Sequence, residues 1–383
     1  MCLIGRAYLQ STLAHRPGDW NTGHPWHQLK MKKLRQLLSG SVRDRSESVE
    51  RKDNDTEPTA EDGTPTKLCS ECGKKSNSLK KCTACKCVWY CDKDCQNRHW
   101  REHKKECKPI KKILDIRGGK LDLGTEKDVG PLGKLPPQEE CPICMLVLPI
   151  HPQLHSYFNC CGKSVCCGCA LQHQIKNEEW AEREKTPLSH TCPFCRKPVS
   201  KSNDENLARL GKRIQLKDPN ALIEMAAAYG YGHYGVPVDE AKCVALYRES
   251  ADLGFSIAQC ALASYHYEGG MGLEPNKEEE LKYLEKAAEG GHVLARNNLG
   301  CEAASNGDYV AAMRHWRLSA SGGNRLSIRA LIERFEFGFL RHGDLADTLQ
   351  AFYLTRAELW NKGRVQHIAY LKRNGKYNEE YDL

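Results

Sequence analysis

Cysteine and histidine sit at metal-ligand spacing in the first half of the chain: 17 of its 21 cysteines fall between positions 69 and 195. The densest run holds four pairs, Cys69-x2-Cys72, Cys82-x2-Cys85, Cys91-x3-Cys95 and His103-x3-Cys107. In a Cys-x2-Cys turn both sulfurs reach one ion from a tight backbone knuckle, and x3 spacing sets two ligands at i and i+4 on one helical face. Two knuckles followed by two helical pairs supply eight N/S donors, enough for two zinc ions that each take one pair from each half. A four-coordinate N/S shell leaves no position for a reacting water, so the chemistry is structural and not hydrolytic. A segment this short buries too little apolar surface to fold alone, whereas structural zinc contributes on the order of 10–16 kcal/mol to folding. Without metal it is expected to unfold.

A second cysteine cluster follows. It begins at Cys141-Pro142-Ile143-Cys144, continues through Cys160-Cys161-Gly162-Lys163-Ser164-Val165-Cys166-Cys167-Gly168-Cys169 and closes with Cys192-Pro193-Phe194-Cys195. Three Cys-x2-Cys pairs are present, and residues 170–185 between the last two have good helix-forming composition. Cys87 and Cys167 are left over and read as small hydrophobic residues.

The elements that carry these clusters are of two kinds. Around the ligands are short knuckles and helices. From Asp218 onward the pattern changes to a repeat of alanine and glycine: Ala221, Ala258 and Ala295 are spaced by 37, as are Gly232 and Gly269, Gly254 and Gly291, and Ala251 and Ala288. Ala320 and Gly323 repeat the Ala-x2-Gly signature after a loop about five residues shorter, and Ser327, Leu331 and Gly338 open a fourth, degenerate copy. Small residues let two helices approach closely and glycines end them, so each unit is predicted to be a helical hairpin. Tyr229, Tyr265, Tyr283 and Trp316, at helical spacing, are expected in the core and not at a binding face.

Length and composition frame this arrangement. A chain of 383 residues with 40% hydrophobic and 28% charged residues is expected to hold two to three domains of helical, surface-rich architecture. The net charge of +8 is too mild and dispersed to make nucleic-acid binding the main role. Thiolates spaced for metal, with no signal-peptide run and no apolar stretch of transmembrane length, point to a reducing, intracellular compartment, cytoplasmic or nuclear, with no membrane partner. Residues 1–68 read as a disordered basic and charged region, in which Leu29, Met31, Leu34, Leu37 and Leu38 among basic residues could form one amphipathic helix. Residues 108–140, with Gly118-Gly119, Gly130-Pro131 and Pro136-Pro137, read as a linker that lets the two clusters move independently. Residues 358–383 read as a capping helix and tail.

Three resemblances fall on these residues. Tyr90-Cys91, Cys95-Gln96, Trp100 and His103-x3-Cys107, with the two preceding Cys-x2-Cys pairs, resemble a MYND-type zinc finger over residues 69–107. The resemblance implies interleaved ligation, with Cys69, Cys72, Cys91 and Cys95 on one ion and Cys82, Cys85, His103 and Cys107 on the other, and a module that binds proline-containing peptides. Some such fingers sit inside lysine methyltransferases, but no stretch like that family's Asn-His-x-Cys-x-Pro-Asn is found here. Residues 141–196, in the order pair, loop, pair, helix, pair, resemble a RING finger. By that resemblance Cys141, Cys144, Cys166 and Cys169 complete one zinc site. Cys161, Cys192 and Cys195 form most of a second, where Lys163 stands in place of the usual histidine and cannot donate to zinc. Cys160, His155 or His190 would complete it, Cys160 being favoured because it is adjacent; otherwise the site holds no metal. The same resemblance assigns Ile143, Pro193 and Arg196 to a surface for an E2 ubiquitin-conjugating enzyme. Residues 218–357 resemble Sel1-like repeats, a relative of the tetratricopeptide class whose concave face binds peptides or proteins.

The expected fold is therefore multidomain: a MYND finger, a RING-like α+β finger and an all-α solenoid, with two zinc ions in the first finger and one or two in the second. The expected function is a RING-type E3 ubiquitin ligase with no catalytic residue of its own, selecting substrates through the MYND finger and the repeats. The alternative is a non-enzymatic zinc-binding scaffold. No phosphate loop, nucleophile elbow or open metal site is present to support another class of enzyme.

Overall fold

The computed structural model describes residues 67–76, 78–122, 127–148, 154–185, 191–200, 202–359 and 362–373. The expected N-terminal amphipathic helix and the end of the C-terminal tail lie outside these residues. No described helix is long and apolar enough to cross a membrane.

The repeat period becomes helix geometry directly. A lead-in helix α3 (Asn203–Gln215) precedes four hairpins: α4 (Pro219–Tyr231) with α5 (Glu240–Asp252), α6 (Ser256–Glu268) with α7 (Lys277–Glu289), α8 (Val293–Ser305) with α9 (Tyr309–Ser321), and α10 (Arg325–Glu336) with α11 (His342–Leu359). Ala221, Ala258 and Ala295 are each fully buried, which lets neighbouring helices approach. The side chains of Asp218, Asp239, Asn276, Asp308 and Asn324 accept backbone N–H bonds at their helix N-termini, satisfying donors that would otherwise be orphaned. Gly254, Gly291 and Gly323 close the second helix of successive hairpins at φ of +85°, +83° and +94°, where a side chain would be strained. Tyr265, Tyr283 and Trp316 are buried, as the helical spacing requires, and Tyr229 is half-buried.

The first finger has a two-residue hairpin, β1 (Lys80–Lys81) antiparallel to β2 (Trp89–Tyr90), followed by the long helix α1 (Lys93–Ile116). Helix α1 does not stop at the last ligand. Its buried side, through Ile110, Ile113 and Leu114, joins one core with Met313, Leu331, Phe335 and Phe352 of the last two hairpins. The stretch read as a free linker is bound in place. Its first residues extend α1, and beyond them Lys127 N–H donates to Phe339 O at 3.1 Å while Lys127 bridges Leu340 in parallel. Arg317, 2% exposed, donates to Gly130 O at 2.6 Å and to Thr348 Oγ1 at 3.2 Å. Buried guanidinium bonds of this kind hold the segment as a strap, which is not the independent movement expected of it.

The second finger has the hairpin β3 (His155–Phe158) and β4 (Lys163–Cys166), paired from His155↔Cys166 to Phe158↔Lys163, and the helix α2 (Cys167–Glu184). The hairpin rests on the start of the solenoid: Tyr157 donates its hydroxyl hydrogen to Asp218 Oδ2 at 2.8 Å, and Arg213 reaches the same oxygen at 3.0 Å. The C-terminal helix α12 (Lys362–Arg373) forms, packs on α2 and so braces the second finger, while Arg364 also donates to Leu359 O of α11 at 2.8 Å. Gly168 and Gly363 bring the two backbones together, and a side chain on Gly168 would run into Gly363 and Arg364. Arg364, also buried, donates to Val147 O at 2.8 Å, and Gln172 bonds Gln366 at 2.8 Å. Cys167, one of the two leftover cysteines, packs with Leu154 and Ile368, and burial pushes its thiol up to about 12.

Candidate metal centres

Sixteen ligand residues gather into four groups whose donor atoms lie within 4.8 Å of one another. They are Cys69, Cys72, Cys91 and Cys95; Cys82, Cys85, His103 and Cys107; Cys141, Cys144, Cys166 and Cys169; and Cys160, Cys161, Cys192 and Cys195. Within the groups, Sγ–Sγ separations are 3.5 Å for Cys72–Cys91, 3.8 Å for Cys82–Cys107 and Cys144–Cys166, 3.5 Å for Cys161–Cys192 and 3.4 Å for Cys160–Cys195. Zinc–sulfur bonds of ~2.3 Å in a tetrahedron require edges of about 3.8 Å, whereas a disulfide would need ~2.05 Å. The donor sets and their spacing fit zinc.

The same local turn recurs at all four Cys-x2-Cys knuckles that begin or end a finger half. The N–H after the second cysteine folds back on the carbonyl of the first: Gly73 to Cys69 at 2.9 Å, Lys86 to Cys82 at 3.0 Å, Met145 to Cys141 at 2.8 Å and Arg196 to Cys192 at 3.1 Å. That residue is left-handed each time, at φ of +70°, +58°, +56° and +58°. Only one of the four is glycine, so the knuckles at Lys86, Met145 and Arg196 carry backbone strain that metal binding would hold in place.

In the first finger the helical-pair expectation is half met. Cys95, His103 and Cys107 lie on α1, but Cys91 precedes it, because Asp92 starts the helix by accepting the Cys95 N–H at 2.7 Å. Burial opposes ionisation of Cys69, yet the N–H groups of Cys72, Glu71 and Cys91 outweigh it and bring the thiol down to about 7. Cys141 of the second finger is likewise about 7, with burial opposed by the N–H groups of Cys166, Cys144 and Ile143. Each finger thus has at least one buried ligand already close to the thiolate that zinc requires.

In the second finger Cys160 and Cys161 both reach the fourth group because they occupy the β3–β4 turn, where Cys161 and Gly162 N–H both fold back on Phe158 O at 3.1 and 2.8 Å. Lys163 starts β4 with its side chain exposed and is not among the four donors of the group. His155 pairs with Cys166 across the hairpin, and His190 lies outside the described residues. At the knuckle tips Ile143 is 45% exposed, Met145 56% exposed and Arg196 exposed, while Pro193 is half-buried.

Residues that spacing did not single out surround the second group. Cys87, the other leftover cysteine, is buried with Sγ 3.2 Å from His342 Nε2, and Tyr353 of α11 lies against His103. Their partners are some 250 positions away in sequence, and no local pattern marks them.

Residues 69–107 match the MYND finger family, and residues 219–255, 256–292 and 293–324 match the Sel1 repeat. The chain is 49% identical over 39 residues to histone-lysine N-methyltransferase ASHR1 of Arabidopsis thaliana, covering 10% of this chain and 8% of that one. It is 46% identical over 55 residues to SET domain-containing protein 14 of Caenorhabditis elegans, covering 14% and 13%. Against histone-lysine N-methyltransferase Smyd1 of Mus musculus the identity is 44% over 58 residues, covering 15% and 12%. The chain spans about a tenth of the length of these curated relatives. Among solved structures, c5321, a protective antigen of uropathogenic Escherichia coli displaying an SLR fold, aligns with 21% identity over 56% of this chain and 44% of that one, at a TM-score of 0.34. A Sel1 repeat protein from Oxalobacter formigenes aligns with 18% identity over 56% and 83%, at 0.35. The chain carries a MYND finger followed, after a second cysteine-rich cluster, by a solenoid of Sel1 repeats.

Proposed function

We propose that this is a protein-interaction chain whose second finger is of RING type and recruits an E2 enzyme carrying ubiquitin, making the whole a ubiquitin ligase. MYND fingers and Sel1 repeats are interaction modules and supply the coarser half of this reading. The observation that supports the finer half is the interleaved pairing of the second finger. The pair Cys141/Cys144 groups with Cys166/Cys169, and Cys160/Cys161 with Cys192/Cys195, while Ile143 and Arg196 project at the two outer knuckles.

With Cys160 as fourth donor, the lysine at 163 does not weaken the second site. The finger would do no covalent chemistry. It would hold the E2–ubiquitin thioester in near-attack geometry for a substrate lysine, and such positioning is worth several kcal/mol of barrier on its own. Methyl transfer is not carried over from the relatives, since the match extends over only 39 to 58 residues.

The test is autoubiquitination of the full chain with E1, ubiquitin and a panel of E2 enzymes. Ile143→Ala removes the apolar tip. Arg196→Gly removes the guanidinium yet suits the left-handed backbone at φ +58°, so it separates recruitment from knuckle strain. Chain formation that drops at least tenfold in both variants is the expected outcome. Inactivity with every E2, from protein that retains its zinc, leaves a scaffold whose fingers and repeats only bind.

A further inference from the structure

We propose that the solenoid completes the second zinc site of the MYND finger, with Tyr353 as the residue that positions the histidine ligand. In the group Cys82, Cys85, His103 and Cys107, His103 turns Nε2 toward Cys85 Sγ at 3.4 Å. Its Nδ1 lies 3.2 Å from the Tyr353 hydroxyl on α11. That hydroxyl is 2.6 Å from Glu106 Oε2, and Arg325 of α10 donates to Glu106 Oε1 at 2.6 Å.

Metal binding sets the direction of every hydrogen in this relay. A zinc-bound Nε2 uses its lone pair, so the proton is on Nδ1 and is donated to the Tyr353 oxygen. Tyr353 then donates its own hydrogen to the Glu106 carboxylate, which the Arg325 guanidinium holds. His103, Glu106, Tyr353 and Arg325 are all buried, so solvent is a poor substitute for any member. A second solenoid residue reaches another ligand: His342 Nε2 is 3.0 Å from the Cys85 carbonyl oxygen.

A histidine ligand whose free nitrogen is hydrogen-bonded is fixed in tautomer and ring orientation, and loss of such a partner lowers metal affinity by roughly 10–100-fold. Here the partner comes from a residue 250 positions further along the chain, in the last hairpin of the solenoid. The site therefore belongs to finger and solenoid jointly. The inference rests on zinc binding by this group and is independent of E2 recruitment.

The experiment uses the full chain loaded with cobalt(II) and titrates it with a chelator. The d–d absorption of cobalt separates the site that contains His103 from the three all-cysteine sites. Tyr353→Phe keeps the ring and its packing while removing the hydroxyl. The signal of the His103 site is expected to vanish at about tenfold lower chelator concentration than in the wild type, with the all-cysteine signals unmoved. Leu349→Ala opens the same core without touching the relay and is expected to keep the wild-type order of metal release. Equal chelator resistance of Tyr353→Phe and wild type overturns the proposal, as does an identical selective loss in Leu349→Ala.

Discussion

At the residue scale, Cys160 and Cys161 show what spacing can and cannot disclose. Successive residues of a strand point to opposite faces, so two adjacent ligands for one ion are unexpected in extended backbone. Both sit in the turn between β3 and β4, where the alternation does not apply, and their sulfurs join one group. Cysteine identity was legible as a candidate ligand, but the turn that makes both cysteines converge was not. His292 carries a second residue-scale consequence. It is fully buried, burial holds its pKa down to about 4, and its Nδ1 accepts the Ala295 N–H at 3.3 Å to cap α8. An unfolded histidine titrates near ~6.5. The folded value is lower, so this stability is fully present above about pH 6.5 and is lost as pH falls toward 4, by up to about 3 kcal/mol. His292→Asn keeps a capping oxygen and removes the titration. In urea denaturation the wild type is expected to lose more stability between pH 7 and 5 than the variant, and parallel pH curves would contradict the assignment.

At the element scale, the hairpins were legible because the 37-residue period repeats both the small residues that let helices meet and the glycines that end them. The first helices begin at Pro219, Ser256 and Val293, in step with Ala221, Ala258 and Ala295. The docking of α12 was not legible. A glycine in sequence signals a turn as readily as a close approach, and Gly168 and Gly363 identify each other only once the chain has folded. Gly168→Ala places a methyl group against the backbone of Gly363 and Arg364, which must shift. The expected cost is about 1–3 kcal/mol, with faster hydrogen exchange in α12 and unchanged exchange in α4 to α7. Unchanged protection in α12 would mean that the contact does not hold it.

At the scale of the whole molecule, the first finger and the last two hairpins share one core, in which the ligands Cys82, Cys85 and Cys107 sit alongside Leu331, Phe335 and Phe352. The strap and the ion pairs of Arg325 with Glu102 and Glu106, at 3.0 and 2.6 Å, fasten them further. None of this is visible in sequence, because each contact joins segments some 200 residues apart whose local patterns are complete without it. The MYND finger and the Sel1 repeats lie where the sequence pattern puts them, but finger and solenoid fold together. Chelation is therefore expected to strip hydrogen-exchange protection from α1, α10 and α11 together, while α4 to α7 keep theirs. Loss confined to α1 would contradict the shared core.

Both fingers depend on four zinc sites, and native mass spectrometry of the purified full chain reads that number. Four zinc ions per chain are predicted, falling to three in Cys160→Ser and staying at four in Lys163→His. Three ions in the wild type, with no further loss in Cys160→Ser, would contradict it.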